Sequence, residues 1–156
     1  MHHSKNAHAM ISSKKVIIPD LGRSANMRAV RSRNTTPELA VRRLAHKLGL
    51  RFRLHQNNLP GRPDLMLSRW KTVIFVHGCF WHQHPGCKKA TIPKTNHQFW
   101  KAKLLRNVER DRQAIRKLTR LGWKVLTIWE CQTHDSVFVT QFLDSHFYGV
   151  GRQVVA

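Results

Sequence analysis

Hydrophobic residues along the middle of the chain recur with the periods of helices and strands. Helical spacing predicts helices over residues 36–48, 96–121 and 135–147. Short apolar runs predict strands at 51–54, 64–67, 72–76 and 123–129. Thr36-Pro37 marks the start of the first helix, with the threonine as its cap, and the short gap between the second and third strands predicts a hairpin. The order of the elements predicts an α/β fold, in which helices flank a mixed β-sheet.

The two ends of the chain do not share this periodicity. Residues 1–22 are polar and basic and are predicted to form a mobile arm, and residues 149–156 are predicted to form a tail. Residues 23–148 are predicted to form a single domain, although the basic segment 23–33 fits either a short helix lying on phosphates or a solvated face. Because no signal peptide or bilayer-spanning run is found, we expect a cytoplasmic protein without a membrane partner.

The charge of the chain narrows the choice of partner. The chain has 28 Lys and Arg residues against 8 Asp and Glu residues, which gives a net charge of +20 at pH 7. Such an excess repels itself unless a polyanion neutralises it, and the commonest polyanion is nucleic acid. A ribosomal-type or membrane-surface protein would share the charge, whereas five Trp residues and the apolar pattern argue against a disordered basic tail. The charge therefore favours a folded protein that binds nucleic acid.

Few acidic residues are available to hold the divalent cation that a nuclease commonly uses. Five of the eight acids are explained by their positions: one lies in the arm, two lie among the arginines of the second predicted helix, and two lie at the last predicted helix. These are Asp20, Glu109, Asp111, Asp135 and Asp144. Three acids remain as candidates: Glu38, Asp64 and Glu130.

Asp64 is the strongest of these three. It begins a strand directly after Pro63, beside the strand that leads into His77, and this position suits a ligand of Mg²⁺. A turn aspartate after a proline would look the same. Glu38 also fits an acid favoured by the dipole of the first helical turn, and Glu130 also fits the end of a strand.

The segment HGCFWHQHPGC concentrates side chains that can bind metal. Cys79, His84 and Cys87 have the spacing C-x4-H-x2-C, and Cys131 follows at the predicted end of a strand. Four such ligands suit a tetrahedral structural Zn²⁺, provided that the fold returns Cys131 to this loop. His82 is also within reach as the histidine ligand, and buried thiols with a surface histidine are the alternative without metal. An odd number of cysteines and no export signal disfavour a disulfide framework.

The same segment contains two further histidines and two large aromatics. If zinc takes four ligands, His77 and His82 remain for acid–base chemistry, because a neutral histidine deprotonates water and a protonated one protonates a leaving group. Phe80 and Trp81 lie between predicted zinc ligands, where a core position is awkward and a wedge that kinks DNA is an alternative. Trp100 fits either that wedge or the core.

Four segments of the chain resemble the very short patch repair (Vsr-type) DNA mismatch endonucleases: PGRPD, VIFVHGCFWHQH, NVERDR and LGWKVLTIWEC. The resemblance runs from about Arg23 to about Cys131. It implies a restriction-endonuclease-like core, related to the PD-(D/E)xK nucleases, with a structural zinc site. It also implies nicking of one DNA strand 5′ of the thymine in T:G mismatches, which arise from deamination of 5-methylcytosine.

The resemblance implies a role for each matching residue. Asp64 would hold the catalytic Mg²⁺ together with the backbone carbonyl of Val76, while His77 and His82 would be catalytic, with His82 as the general base. Glu38 would hydrogen-bond within the site. The ligands of the structural Zn²⁺ would be Cys79, His84, Cys87 and Cys131. The aromatics that intercalate beside the mismatch would be Phe80, Trp81 and Trp100.

Two departures bear on these expectations. Pro85-Gly86, between His84 and Cys87, is one residue longer than the usual stretch of the family and affects the zinc loop. Phe75-Val76-His77 replaces the E-x-K of related nucleases, a replacement that the Vsr-type family shares and that moves the role of the base to a histidine.

The implied partners are double-stranded DNA with a T:G mismatch and further mismatch-repair proteins. The enzyme would act as a monomer in the bacterial cytoplasm, on the nucleoid when bound to DNA. Two other functions fit many of the same residues: a zinc-bearing mismatch-binding module without catalysis, and a restriction-type nuclease that cuts matched DNA. A binding module would need neither Asp64 and Glu38 nor the two remaining histidines, and a nuclease for matched DNA would not need the wedge.

Overall fold

The computed structural model describes residues 33–149. The helices of this part are α1 (Thr36–Lys47), α2 (His97–Arg120) and α3 (Ser136–Phe147). Its strands are β1 (Leu65–Leu67), β2 (Thr72–His77) and β3 (Lys124–Trp129). These elements confirm the predicted order, and each of their boundaries lies within two residues of its predicted position. The predicted arm, nearly all of segment 23–33 and the tail beyond residue 149 lie outside the described residues, so the predicted division of the chain remains a prediction.

The sheet is mixed, as the sequence predicts. Its strand order is β1-β2-β3, with β1 antiparallel to β2 and β2 parallel to β3. The central strand is the continuous apolar run, because a strand paired on both edges and covered on both faces has few positions that reach water. A short 3₁₀ turn over Ser68–Trp70 closes the β1–β2 hairpin, and Lys71 after it adopts a left-handed conformation at φ +46.

Helices cover the sheet on both faces. On one face, α1 and α3 pack with the sheet in a core that buries Val41, Ala45, Leu50, Leu65, Leu67, Ile74, Leu126, Ile128, Val139, Leu143 and Phe147. On the other face, α2 supplies Leu118 to a smaller core with Met66, Val73 and Phe75. Alternate residues of β2 therefore face different helices, and His77, two residues after Phe75, lies on the face of α2. None of the described helices is long and apolar enough to cross a membrane.

Two local predictions need correction. The predicted strand at 51–54 is reduced to one antiparallel bridge between Arg53 and Met66, because the left-handed conformation of His55 turns the chain away from β1. The cap of α1 is Thr35 and not Thr36: its hydroxyl accepts from the Glu38 N–H and donates to the Glu38 carboxylate. This reciprocal pair places the cap one residue before the predicted one, so the helix begins at Thr36 itself.

Gly61 sets the path of the loop that leads to Asp64. It has φ +73, and a Cβ added there would lie 2.6 Å from the Cβ of Ala114 and 3.1 Å from the ring of Phe75. We expect Gly61→Ala to lower the free energy of unfolding by about 2–4 kcal/mol, the left-handed backbone costing about 1–2 and the overpacking the rest. Urea denaturation measures the loss. Gly122→Ala is the control, because Gly122 has φ +79 and no atom within 4 Å of its added Cβ.

Equal losses in the two variants would contradict the packing account of Gly61. The control isolates the backbone contribution, since both glycines share the left-handed conformation and differ in their neighbours. A larger loss at Gly61 alone reports the contact between this loop and α2.

Candidate active site

Asp64 is fixed at the point where β1 begins. Its N–H donates to the carbonyl of Ile74 (3.0 Å), and its Oδ2 accepts a hydrogen bond from the N–H of Val76 (2.7 Å). Backbone groups of residues two apart in a strand point to the same edge, so the Val76 carbonyl faces the same side as the Ile74 carbonyl and Asp64. A carboxylate and a backbone carbonyl therefore lie together at this edge of the sheet.

The surroundings of Asp64 disfavour an isolated negative charge. The pKa of Asp64 is raised to about 6, chiefly by burial and also by the nearby charge of Glu38, and these two effects outweigh the Val76 N–H, Arg42 and His82, which lower it. A cation at the carboxylate would offset this cost of burial. Carboxylate and carbonyl oxygens are the ligands that Mg²⁺ prefers, so the donor set of Asp64 and Val76 fits this ion.

Glu38 is buried at the start of α1, where all of its described hydrogen bonds are local. Its carboxylate accepts from the Asn34 N–H (2.9 Å), from the Thr35 hydroxyl (2.9 Å) and from the Arg42 guanidinium (2.8 Å). Glu38 therefore acts on Asp64 through its charge, since no hydrogen bond joins the two among the described residues.

The two catalytic histidine candidates form a stacked pair. His77 ends β2 and His82 follows in the loop, and their ring centroids lie 3.9 Å apart with an interplanar angle of 7°. His77 is buried, and burial lowers its pKa to about 4, with the neighbouring His82 contributing to the decrease. His77 is therefore neutral at neutral pH.

Asp111 is the site residue that the sequence interpretation missed. Its Oδ2 lies 2.6 Å from Nδ1 of His82, so the prediction that Asp111 pairs only with arginines of its own helix is wrong. The available signal was its spacing: Asp111 lies seven residues from each of the buried Leu104 and Leu118 and therefore faces inward. A carboxylate at Nδ1 holds the proton there and leaves Nε2 of His82 as a proton acceptor.

His77, His82 and Asp111 bring three potential metal-ligand atoms within 4.8 Å of one another. Their geometry nevertheless suits acid–base chemistry better than metal binding. An imidazole binds metal in its ring plane, and two parallel stacked rings direct their lone pairs along parallel planes instead of toward one point. The Asp111 contact also occupies Nδ1 of His82.

The four predicted zinc ligands lie together. The ligand atoms of Cys79, His84, Cys87 and Cys131 are all within 4.8 Å of one another. Nδ1 of His84 lies 3.6 Å from the sulfur of Cys79 and 3.4 Å from that of Cys131. A tetrahedral Zn²⁺, with Zn–S near 2.3 Å and Zn–N near 2.0 Å, separates such atoms by about 3.6 Å, so the four residues fit this ion.

The sheet explains how Cys131 returns to the loop. His77 pairs in register with Trp129 on the parallel strand β3, so Cys79 and Cys131 each follow the end of a neighbouring strand by two residues. Pro85-Gly86 is accommodated in a turn in which the Cys87 N–H bonds to the His84 carbonyl (3.2 Å). The extra residue therefore leaves Cys87 beside the other three ligands.

The aromatic candidates pack on one another. Phe80 contacts Trp81 (centroids 5.0 Å apart) and Trp100 (5.7 Å), and Trp81 lies 6.2 Å from Trp100. Trp100 belongs to this cluster and not to either core of the described residues. The ammonium of Lys103 lies 5.5 Å and 5.3 Å from the two indole rings. We call Phe80, Trp81 and Trp100 the aromatic cluster.

Comparisons with known proteins identify the family. The family model "DNA mismatch endonuclease Vsr" matches residues 17–89. The DNA mismatch endonuclease Vsr of Escherichia coli K12 is 48% identical over 109 residues, which cover 70% of this chain and 69% of that protein. The type II nicking enzyme V.XorIIP of Xanthomonas oryzae pv. oryzae is 46% identical over 109 residues, which cover 70% and 79%.

A solved structure supports the fold independently. The catalytic domain of the homing endonuclease I-Bth0305I matches with a TM-score of 0.52 over 72% of this chain and 94% of its own length. At 22% identity it bears on the fold alone, and it confirms the predicted endonuclease-like α/β architecture. Taken with the sequence relatives, these matches show that the chain is a DNA endonuclease and belongs to the DNA mismatch endonuclease Vsr family.

Proposed function

We propose that this endonuclease nicks one strand of duplex DNA 5′ of the thymine in a T:G mismatch. One observation carries the proposal: α2 contacts three consecutive residues of the loop. Trp100 packs on Phe80, the side chain of Asn107 donates to the Trp81 carbonyl (3.1 Å), and Asp111 pairs with His82. The aromatic cluster and the candidate base are thus held in one register by a single rigid helix.

Each residue near the phosphate receives a role from its contacts. His82, with Nδ1 bonded to Asp111, takes a proton from water at Nε2 and so prepares the attack on phosphorus. His77 stacks on His82 and fixes the plane of its ring, and we assign it a hydrogen bond to the scissile phosphate. Asp64 and the Val76 carbonyl would hold Mg²⁺, which when bound neutralises charge that develops on the phosphate. Hydrolysis of the phosphodiester 5′ of the thymine would leave a 5′-phosphate on one side of the nick and a 3′-hydroxyl on the other.

The aromatic cluster would supply selectivity for mismatches. Rings inserted between base steps unstack the duplex and kink it, and this costs less at a mispaired step than at a matched one. Lys103, held over two of the rings, would bring a cation to the backbone beside the insertion point. The structural Zn²⁺ would fix the loop that carries both the rings and the base.

The cellular setting follows from this function. The enzyme would act as a monomer on DNA in the bacterial cytoplasm, associated with the nucleoid, and further mismatch-repair proteins would act with it. Residues 23–148 would form the endonuclease domain, with the basic arm before it adding affinity for the phosphate backbone.

A substrate panel tests the function. We expect nicking of a duplex with one T:G mismatch in the presence of Mg²⁺, and rates at least about 10²-fold lower on matched T:A and C:G duplexes, because one unfavourable unstacking step costs a few kcal/mol. Denaturing electrophoresis of end-labelled strands measures the rate and the cut position. Equal rates on matched DNA would indicate a restriction-type nuclease instead. Tight mismatch binding without nicking would indicate a binding module.

A further inference from the structure

Glu130 makes contacts that the proposed mechanism does not use. Its Oε2 accepts from the backbone N–H of Cys79 (3.3 Å), and its Oε1 accepts from the ammonium of Lys89 (3.0 Å). A residue that only ends a strand needs neither contact. The carboxylate therefore joins the end of β3 to two separate points of the loop.

All three contact points adjoin zinc-ligand candidates. Cys79 is itself a ligand candidate, Lys89 follows Cys87 by two residues, and Glu130 directly precedes Cys131. The N–H of Cys131 also donates to the sulfur of Cys79 (3.4 Å). Glu130 thus contacts the loop that carries the ligand candidates at two points: at Cys79, before His84 and Cys87, and at Lys89, after them.

The charges indicate what Lys89 contributes. Three thiolates outweigh the charge of one Zn²⁺ ion, so the loaded site is anionic, and the carboxylate of Glu130 adds a further negative charge beside it. Lys89 places a cation at this carboxylate and offsets the repulsion. The Lys89 and Glu130 side chains are 48% and 32% exposed, so the pair adds little to global stability and acts on the loop that it closes.

We propose that Lys89 and Glu130 are positioning residues that control the retention of zinc at Cys79, His84, Cys87 and Cys131. Cys79 is buried, whereas Cys87 is partly exposed and lies in the segment that Lys89 holds. Release of the metal begins where the loop opens first, which is the Cys87 segment, and the Lys89–Glu130 bridge resists that opening. The inference rests on the zinc site of the proposed function and concerns the rate at which this site loses its metal.

Metal transfer to a chelator tests the inference without any nuclease assay. Zinc-loaded protein is mixed with an excess of a chromogenic chelator, and the absorbance of the chelator complex gives the release rate. We expect release about tenfold faster in Glu130→Gln and in Lys89→Met than in the unaltered protein, the scale on which outer contacts change metal affinity. Lys88→Met is the matched control, because Lys88 is a neighbouring exposed lysine with no described partner, and its release rate should not change.

A double-mutant cycle separates the bridge from general effects. Because Lys89 acts through Glu130, whereas Glu130 also accepts from the Cys79 N–H, Lys89→Met/Glu130→Gln should release zinc no faster than Glu130→Gln alone. The difference between the unaltered protein and Lys89→Met should shrink at high salt, as expected for an exposed ion pair.

Release at the unaltered rate in both single variants would overturn the inference, and so would full additivity in the double variant. If Glu130→Gln fails to fold by circular dichroism, Lys89→Met decides alone, since its side chain is exposed. If freshly purified, unaltered protein contains no zinc, the proposed zinc site itself is contradicted. Elemental analysis shows this before any variant is compared.

Discussion

Replacing Asp64 with asparagine should lower the nicking rate at a T:G mismatch by about a thousandfold, the scale of losing a bound metal ion or a main electrostatic contact in the transition state. Asparagine keeps the size of the side chain, and its amide oxygen can still accept the Val76 N–H, so the loop and the strand stay in place. What disappears is the negative charge that attracts Mg²⁺. The variant should therefore fold normally, and its lower nicking rate should arise in the chemical step.

DNA binding should survive the same change. Asp64→Asn removes one negative charge from a chain of net charge +20, so affinity for mismatched DNA should stay equal or increase slightly. Single-turnover nicking with enzyme in excess measures the chemical step, and fluorescence anisotropy with labelled duplex measures affinity. Asp144→Asn on α3 is the control, with nicking unchanged. A rate within about tenfold of the unaltered enzyme would contradict the assignment of Asp64 as the metal ligand.

The sequence predicted the fold well because its elements are long or strongly patterned. The apolar face of α2 persists over a 24-residue helix, and the continuous apolar run of β2 identifies a strand covered on both faces. The prediction at 51–54 was wrong for the opposite reason, because four residues carry too little pattern to distinguish a strand from a single bridge. The cap was misplaced by one residue because Thr35 and Thr36 are chemically equivalent caps.

The sequence predicted less of the site, because chemistry there depends on contacts between distant elements. Cysteine and histidine spacing selected the zinc-ligand candidates, but only the parallel register of His77 with Trp129 explains how Cys131 reaches Cys79. Asp111 was assigned to local arginines, since a linear pattern gives the face of a helix and not the residue across from it. The pairing with His82 follows from how α2 packs on the sheet.

Trp129 connects the two centres. Its indole stacks on the His84 ring (centroids 4.2 Å apart, 11°) and meets the His77 ring edge-on (5.4 Å). A zinc-ligand candidate and a catalytic candidate therefore contact the same side chain, and His77 in turn stacks on His82. Packed rings transmit a displacement because little free volume separates them. A displacement of the zinc-ligand candidate His84 should therefore be passed through Trp129 and His77 to the candidate base His82.

Loss of zinc should therefore abolish nicking while much of the sheet core persists. Among the described residues, the segment 78–96 contains turns but no helix or strand, and Cys79 is its one member in the hydrophobic core. Without the metal, the order of this segment depends on turn hydrogen bonds and on side-chain contacts such as His82–Asp111 and Lys89–Glu130. The segment carries the candidate base His82 and the rings Phe80 and Trp81. We expect His84→Ala to lower nicking by at least about 10²-fold, because the base and the wedge lose their register together.

Elemental analysis should find about one zinc per chain in the unaltered protein and markedly less in His84→Ala, since four Cys and His ligands define one structural site. Far-UV circular dichroism should change little, because α1, α2, α3 and the strands lie outside the loop. His97→Ala is the control: His97 begins α2, is exposed and belongs to neither metal-ligand group, so zinc content and nicking should both stay unchanged. If zinc-depleted protein nicked mismatched DNA at the unaltered rate, the loop would be ordered by its protein contacts alone, and the four-residue cluster would not be needed to hold the base in place.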